Sequence, residues 1–162
     1  MIDGIDASIL TILQSNARTS NAEIARQIGL APSAVFERIK KLEERGVLEG
    51  HAARVNPKAI GLPLLAFVFV RADEKPGEDR VGARLAAIPE VLEVHDVAGE
   101  DCFLVKVRAA DTDALGRLLR ERIGAVPGIT STRTTIVLET VKESSTLPIE
   151  SPAPDLPETV RV

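Results

Sequence analysis

The spacing of helix starts and stops between Ser20 and Gly46 leaves this stretch few ways to fold. Ser20-Asn21-Ala22-Glu23 has the form of a capping box, in which the Ser20 hydroxyl and the Glu23 carboxylate each take a backbone N–H at a helix start. Ile24, Ala25 and Ile28 give that helix an apolar face, and Gly29 is placed to end it in the left-handed conformation. Leu30-Ala31 leaves only a tight turn before Pro32, which suits a first helical position because the N–H it lacks has no partner there. Val35, Ile39 and Leu42 then line one side of a further helix, and Gly46 stops it. Upstream, Ile5, Ile9, Ile12 and Leu13 form the apolar stripe of a first helix. Three short helices, the last two joined by a turn of about four residues, make a helix-turn-helix. Val47–Val55 is β-prone and interrupted by Gly50, which predicts a small wing or linker strand.

From residue 63 the pattern changes. Leu64–Val70 is an apolar run of strand length, 77–88 is helical, and Val91–Val97 and Phe103–Val107 are strands around Ala98-Gly99-Glu100-Asp101. Residues 112–123 form a helix capped by Asp111, and Ile129–Val141 a last strand. The order β-α-β-β-α-β predicts an α+β chain, a winged helix-turn-helix followed by a ferredoxin-like βαββαβ sandwich domain. Ile88-Pro89-Glu90-Val91 and Val126-Pro127-Gly128-Ile129 repeat one helix-to-strand junction, which suggests duplicated half-domains. The expected divisions are 1–50 for the helices, 51–62 for the wing or linker, 63–142 for the αβ domain, and 143–162 for a flexible acidic tail rich in proline.

Composition removes several classes. Of 162 residues 44% are hydrophobic, enough for a core, but no apolar run is long enough to span a bilayer and no signal pattern is present, so a cytoplasmic protein without a membrane partner is expected. The single Cys102 excludes an internal disulfide or a cysteine-rich zinc site, and His51 and His95 have no partner at a recognisable spacing, so no metal, cofactor or catalytic residue is expected. Four Phe with no Trp or Tyr speak against stacking on single-stranded nucleic acid. The net charge of −4 is unusual for a DNA binder. It is unevenly spread, however: residues 1–62 hold eight Lys/Arg against seven Asp/Glu, and 143–162 one against four.

A helix-turn-helix reads double-stranded DNA with the N-terminal half of its last helix. With Val35, Ile39 and Leu42 inward, Ser33, Ala34, Glu37, Arg38 and Lys41 share the outer face. Arg38 is the candidate for guanine, whose O6 and N7 match a guanidinium fork, and Glu37 is a candidate for cytosine N4. Lys41, Arg45 and Arg54 are suited to phosphates.

Ile2–Leu10, Gly29–Arg38 and Gly46–Gly50 resemble the DNA-binding half of the Lrp/AsnC (feast/famine) regulators. Gly99-Glu100-Asp101-Cys102-Phe103-Leu104-Val105 and Thr132-Arg133-Thr134-Thr135-Ile136-Val137-Leu138 resemble two signatures of that family's amino-acid-sensing domain. The resemblance implies a transcription regulator that dimerises through the αβ sheet, assembles into a homodimer or larger oligomer, and answers a small effector, an amino acid. It also implies an effector site at Gly99, Glu100, Asp101, Cys102, Thr132, Thr134 and Thr135. Two positions depart from the family pattern: Ala31 stands where a capping serine is usual, and Cys102 where an aspartate is frequent, so either Asp101 or Glu100 takes over the ligand ammonium or the effector is a different one. Two alternatives share the architecture, a DNA-organising protein without an effector and an enzyme like the siroheme decarboxylases.

Overall fold

The computed structural model describes residues 2–73 and 80–150. The chain divides into two compact units, Met1–Ala53 together with Glu143–Val162, and Arg54–Lys142.

In the helical unit, α1 (Gly4–Ser15), α2 (Asn21–Ile28) and α3 (Pro32–Glu44) enclose Ile9, Leu10, Leu13, Ile24, Ala25, Val35 and Leu42. Ile5, expected on the inner stripe of α1, is exposed; Ala7 and Leu10 are buried instead, because the stripe turns with the helix toward α2 and α3. Asp3 caps α1 through a reciprocal box with Asp6. At α2 only half of the expected box forms. The Ser20 hydroxyl accepts the Glu23 N–H at 3.2 Å, but the Glu23 carboxylate accepts bonds from Arg26 and Gln27 one turn on. Gly29 (φ 71°) closes α2 in the left-handed region, a conformation that favours glycine. Ala31 caps α3 with no side-chain bond.

The expected wing strand does not form. Residues 47–56 carry no strand, and Gly46 and Gly50 both sit at positive φ. A β-prone segment needs a partner ladder, and among the described residues none runs beside it.

The tail also departs from expectation. Residues 143–150 belong to the helical unit, where the Gln14 side-chain amide holds both backbone groups of Leu147: its Oε1 accepts the Leu147 N–H (2.7 Å) and its Nε2 donates to the Leu147 carbonyl (3.1 Å). Ile149 packs on the helical core. The tail's remaining prolines, Pro152, Pro154 and Pro157, lie outside the described residues.

The αβ unit runs β1 (Leu64–Ala72), α4 (Arg80–Ala86), β2 (Val91–Asp96), β3 (Phe103–Ala109), α5 (Thr112–Arg117), whose helix continues through Leu118–Ile123 with π winding, and β4 (Ile129–Ile136). The start of the helix expected over 77–88 lies partly outside the described residues. The four strands form an antiparallel sheet in the order β2-β3-β1-β4, the ferredoxin-like arrangement. Ala66, Val68, Val70, Val105 and Val107 face the helices and pack with Val81, Leu85, Leu115, Leu118 and Ile123. On the other face Phe67, Phe69 and Leu104 are half-buried. The two repeated junctions are built alike: Val91 N–H donates to the Ile88 carbonyl and Ile129 N–H to that of Val126, with both apolar residues in the core. β4 stops well short of Val141. Its partner β1 begins at Leu64, so the ladder runs out once the Val137 N–H has reached the Leu65 carbonyl, and Leu138 and Val141 stand exposed.

Candidate DNA-reading helix and effector loop

On the helical unit, Ala34, Glu37, Arg38, Lys41 and Arg45 line a single cleft of about 330 Å³, together with Leu42 and Asp6. Ser33 is exposed at the start of the same helix. Five of the seven residues expected to meet DNA are thus brought together; Arg54 falls in the other unit, as its first residue.

Arg38 does not stand free as expected. Its Nη1 donates to Oδ2 of Asp3 and to Oδ1 of Asp6, both at 2.7 Å. Each carboxylate divides its oxygens: Oδ1 of Asp3 accepts the Asp6 N–H (2.8 Å) and Oδ2 of Asp6 faces the Asp3 N–H (3.4 Å), while the remaining oxygen of each takes Arg38. The cap of α1 and the middle of α3 are therefore one hydrogen-bonded unit. The backbone N–H of Asp6 and the Arg38 guanidinium hold the Asp3 carboxyl below its ordinary range, and the two carboxylates raise Arg38 in turn. Sequence reasoning paired Arg38 with neither aspartate; the visible signal was an acidic pair three residues apart ahead of an apolar helix.

Phe36 was also missed. Its side chain is 53% exposed on α3, one position off the inward Val35-Ile39-Leu42 line, and such a ring suits the methyl group of a thymine.

On the αβ unit, Gly99, Glu100, Asp101 and Cys102 form the β2–β3 turn. Gly99 has φ 151°, a conformation L residues rarely adopt, so the glycine answers to the backbone; a Cβ there would meet no atom within 4 Å. Two arginines absent from the expected set tie this turn to its neighbours. Arg71 of β1 donates through Nε to the Glu100 carbonyl (3.1 Å) and lies 3.4 Å from its carboxylate. Arg133 of β4 donates to Asp101 at 3.0 Å and stacks 4.0 Å over the Phe69 ring. Asp101 therefore already has a cationic partner. The Cys102 thiol lies between the N–H and carbonyl of Ala72, at 3.4 and 3.5 Å, and is spent on β1.

The three threonines do not converge. Thr132 and Thr134 lie opposite Val70 and Val68, so they share the helix-side face, whereas Thr135 lies opposite Phe67 on the other. Among the described residues no group of His, Cys, Asp and Glu is arranged to hold a metal, and no helix is long and apolar enough to cross a membrane.

Residues 2–49 match the winged helix-turn-helix DNA-binding family, and residues 65–147 match the Lrp/AsnC ligand binding domain. The chain belongs to the Lrp/AsnC family. It is similar to the HTH-type transcriptional regulator FL11 of Pyrococcus horikoshii, 39% identical over 92% of this chain and 97% of the relative. It is also similar to the leucine-responsive regulatory protein of Salmonella typhimurium, 35% identical over 93% of each chain. Among solved structures, a feast or famine regulatory protein from M. tuberculosis complexed with L-methionine superposes with a TM-score of 0.85 at 38% identity, covering 93% of this chain and all of that one. The protein is thus a DNA-binding transcriptional regulator of the Lrp/AsnC family, α+β in fold, with a ligand-binding domain after its helix-turn-helix. The Lrp/AsnC ligand-domain match runs on to Leu147, the residue that Gln14 clasps.

Proposed function

We propose that this regulator reads a specific operator with α3 and that an amino acid bound at the β2–β3 turn alters its DNA affinity or its state of assembly. The observation that carries the first half is the alignment of Ala34, Glu37, Lys41 and Arg45 along one cleft of α3, with Ser33 and Phe36 on its exposed surface. Ser33, Ala34, Glu37 and Phe36, in the first half of the helix, meet base edges; Lys41, Arg45 and Arg54 meet phosphates and set the register. Arg38 positions α3 against α1. A single module of such modest charge binds weakly, so two copies act together on half-sites about one helical turn or a multiple apart. The sheet face bearing Phe67, Phe69 and Leu104 lies opposite the one packed with Val81, Leu85 and Leu115, and burying these apolar residues against a second copy is the natural basis for a homodimer or larger oligomer.

For the effector, Glu100 and Asp101 supply carboxylates for an ammonium group, while Arg71 and Arg133, already in contact with them, supply guanidinium for a carboxylate. The methionine complex of the M. tuberculosis relative supports an amino acid as the class of ligand. Titration calorimetry with L-methionine and the other amino acids tests this. Asp101→Asn should weaken binding about tenfold, the worth of one charge-assisted bond. Unchanged affinity would place the effector elsewhere.

A further inference from the structure

At the opposite end of β3 from the Gly99 turn lies a second concavity, of about 330 Å³, wholly within the αβ unit. Its floor is apolar, with Ala109 and Leu118 buried, Leu62 and Ala114 half-buried and Ala110 exposed. Its rim carries both signs of charge, in Arg108, Arg117, Arg122, Glu90 and Glu121. The volume falls at the lower end of the range of small-molecule sites, about 300–1,000 Å³.

The helix along this groove is unusual. From Leu118 to Ile123 it is wound as a π-helix, closed by the Gly124 N–H donating to the Leu119 carbonyl at 2.8 Å. Such winding is rare and appears frequently at functional sites. Glycine suits this closure: a Cβ on Gly124 would lie 2.8 Å from that same Leu119 carbonyl, too close without a shift of the backbone. The π turn contributes Leu118, Glu121 and Arg122 to the groove, and Arg117 precedes it.

One pairing across the rim is long. Arg122 stands 3.9 Å from Glu90, and Arg108 donates to the Leu62 carbonyl at 3.4 Å. Leu62 ends the turn that leads into β1, with its N–H donating to the Pro57 carbonyl at 2.8 Å. A group that drew on Arg108 would therefore act on the segment by which the chain enters this domain.

We propose that this groove is a second ligand site, distinct from the β2–β3 turn, for a compact molecule carrying a carboxylate beside an ammonium group. The carboxylate is taken by guanidinium forks, the ammonium by Glu121 or Glu90, and a small side chain lies on the alanine floor. A phosphate or other dianion is disfavoured by the same two glutamates.

The test uses the full chain labelled with ¹³C at alanine methyls, titrated with each of the twenty L-amino acids offered alone. A saturable shift of the Ala109, Ala110 and Ala114 methyls is expected with at least one of them. Arg117→Ala should weaken that response about tenfold, and Ala114→Leu, which fills the floor, should abolish it at Ala109 and Ala110. Asp101→Asn should leave it in place, whatever it does at the β2–β3 turn, so the two sites fail independently. The inference is overturned if none of the twenty moves these methyls, if Ala114→Leu leaves the response of Ala109 and Ala110 intact, or if Asp101→Asn removes it, which would make it an echo of the other site.

Discussion

Replacing Arg38 with alanine separates a residue that reads bases from one that braces α3. In the structure the guanidinium holds Asp6, whose side chain is 11% exposed, and Asp3, whose side chain is 53% exposed. Losing a bond to the exposed Asp3 costs about 0.5 kcal/mol. Depriving the shielded Asp6 carboxylate of its cation costs about 1.5 kcal/mol, since its remaining partner is one backbone N–H. The sum, about 2 kcal/mol, corresponds to a ~30-fold change in an opening equilibrium. Hydrogen exchange on the full chain should therefore speed up by about that factor at the amides of α1 and α3, while the β1 and β3 amides keep their rates. Asp6→Asn placed on top of Arg38→Ala should add much less than it does alone, because both remove the same contact. On DNA, Arg38→Ala should lower affinity for operator and random duplex alike. The reasoning is refuted if exchange in α1 and α3 is unchanged while preference at one base pair disappears.

Lys41→Ala should weaken specific and random duplexes by similar factors and reduce the slope of log affinity against log salt by about one, measurable by fluorescence anisotropy. Phe36→Ala should instead lose about 1 kcal/mol of preference at a single A·T pair, read by selection from a randomised duplex library. The lowered carboxyl of Asp3 stabilises the helical unit above its unfolded value of 3.8, and that contribution fades as the pH falls through the still lower folded value; acid unfolding followed by circular dichroism should begin at higher pH in Asp3→Asn. Gln14→Ala removes both bonds to Leu147 and should raise exchange or proteolysis within 143–150 without changing the rates of the sheet.

What was legible in the sequence was what local chemistry decides. Gly29, Pro32 and Gly46 bound α2 and α3 because backbone conformation at those residues is set within a few bonds, and the Ile-Pro and Val-Pro junctions mark two equivalent turns for the same reason. Misreadings arose where a partner far along the chain decides. Arg38 has acidic neighbours on its own helix, yet its guanidinium goes to Asp3 and Asp6, 35 and 32 residues away. Val47–Val55 has strand-forming residues but no neighbouring strand among those described, and β4 ends where β1 ceases to offer carbonyls. Family signatures point to the β2–β3 turn, but nothing in the sequence points to Arg71 and Arg133, because alternation along a strand does not show which side chains meet across a turn. The π winding was invisible as well: 112–123 has an ordinary helical pattern, and only the crowding at Gly124 betrays it.

The clasp of Gln14 on Leu147 bears on how the protein is made. A ribosome delivers the three helices first, yet the segment that lays Ile149 on their core follows only after roughly ninety residues of αβ domain, about 5–20 s later at ordinary rates of synthesis. In that interval α3 rests on a core that Ile149 does not yet cover. A paused or truncated chain thus carries its three helices without the cover that Ile149 and the Gln14 clasp provide.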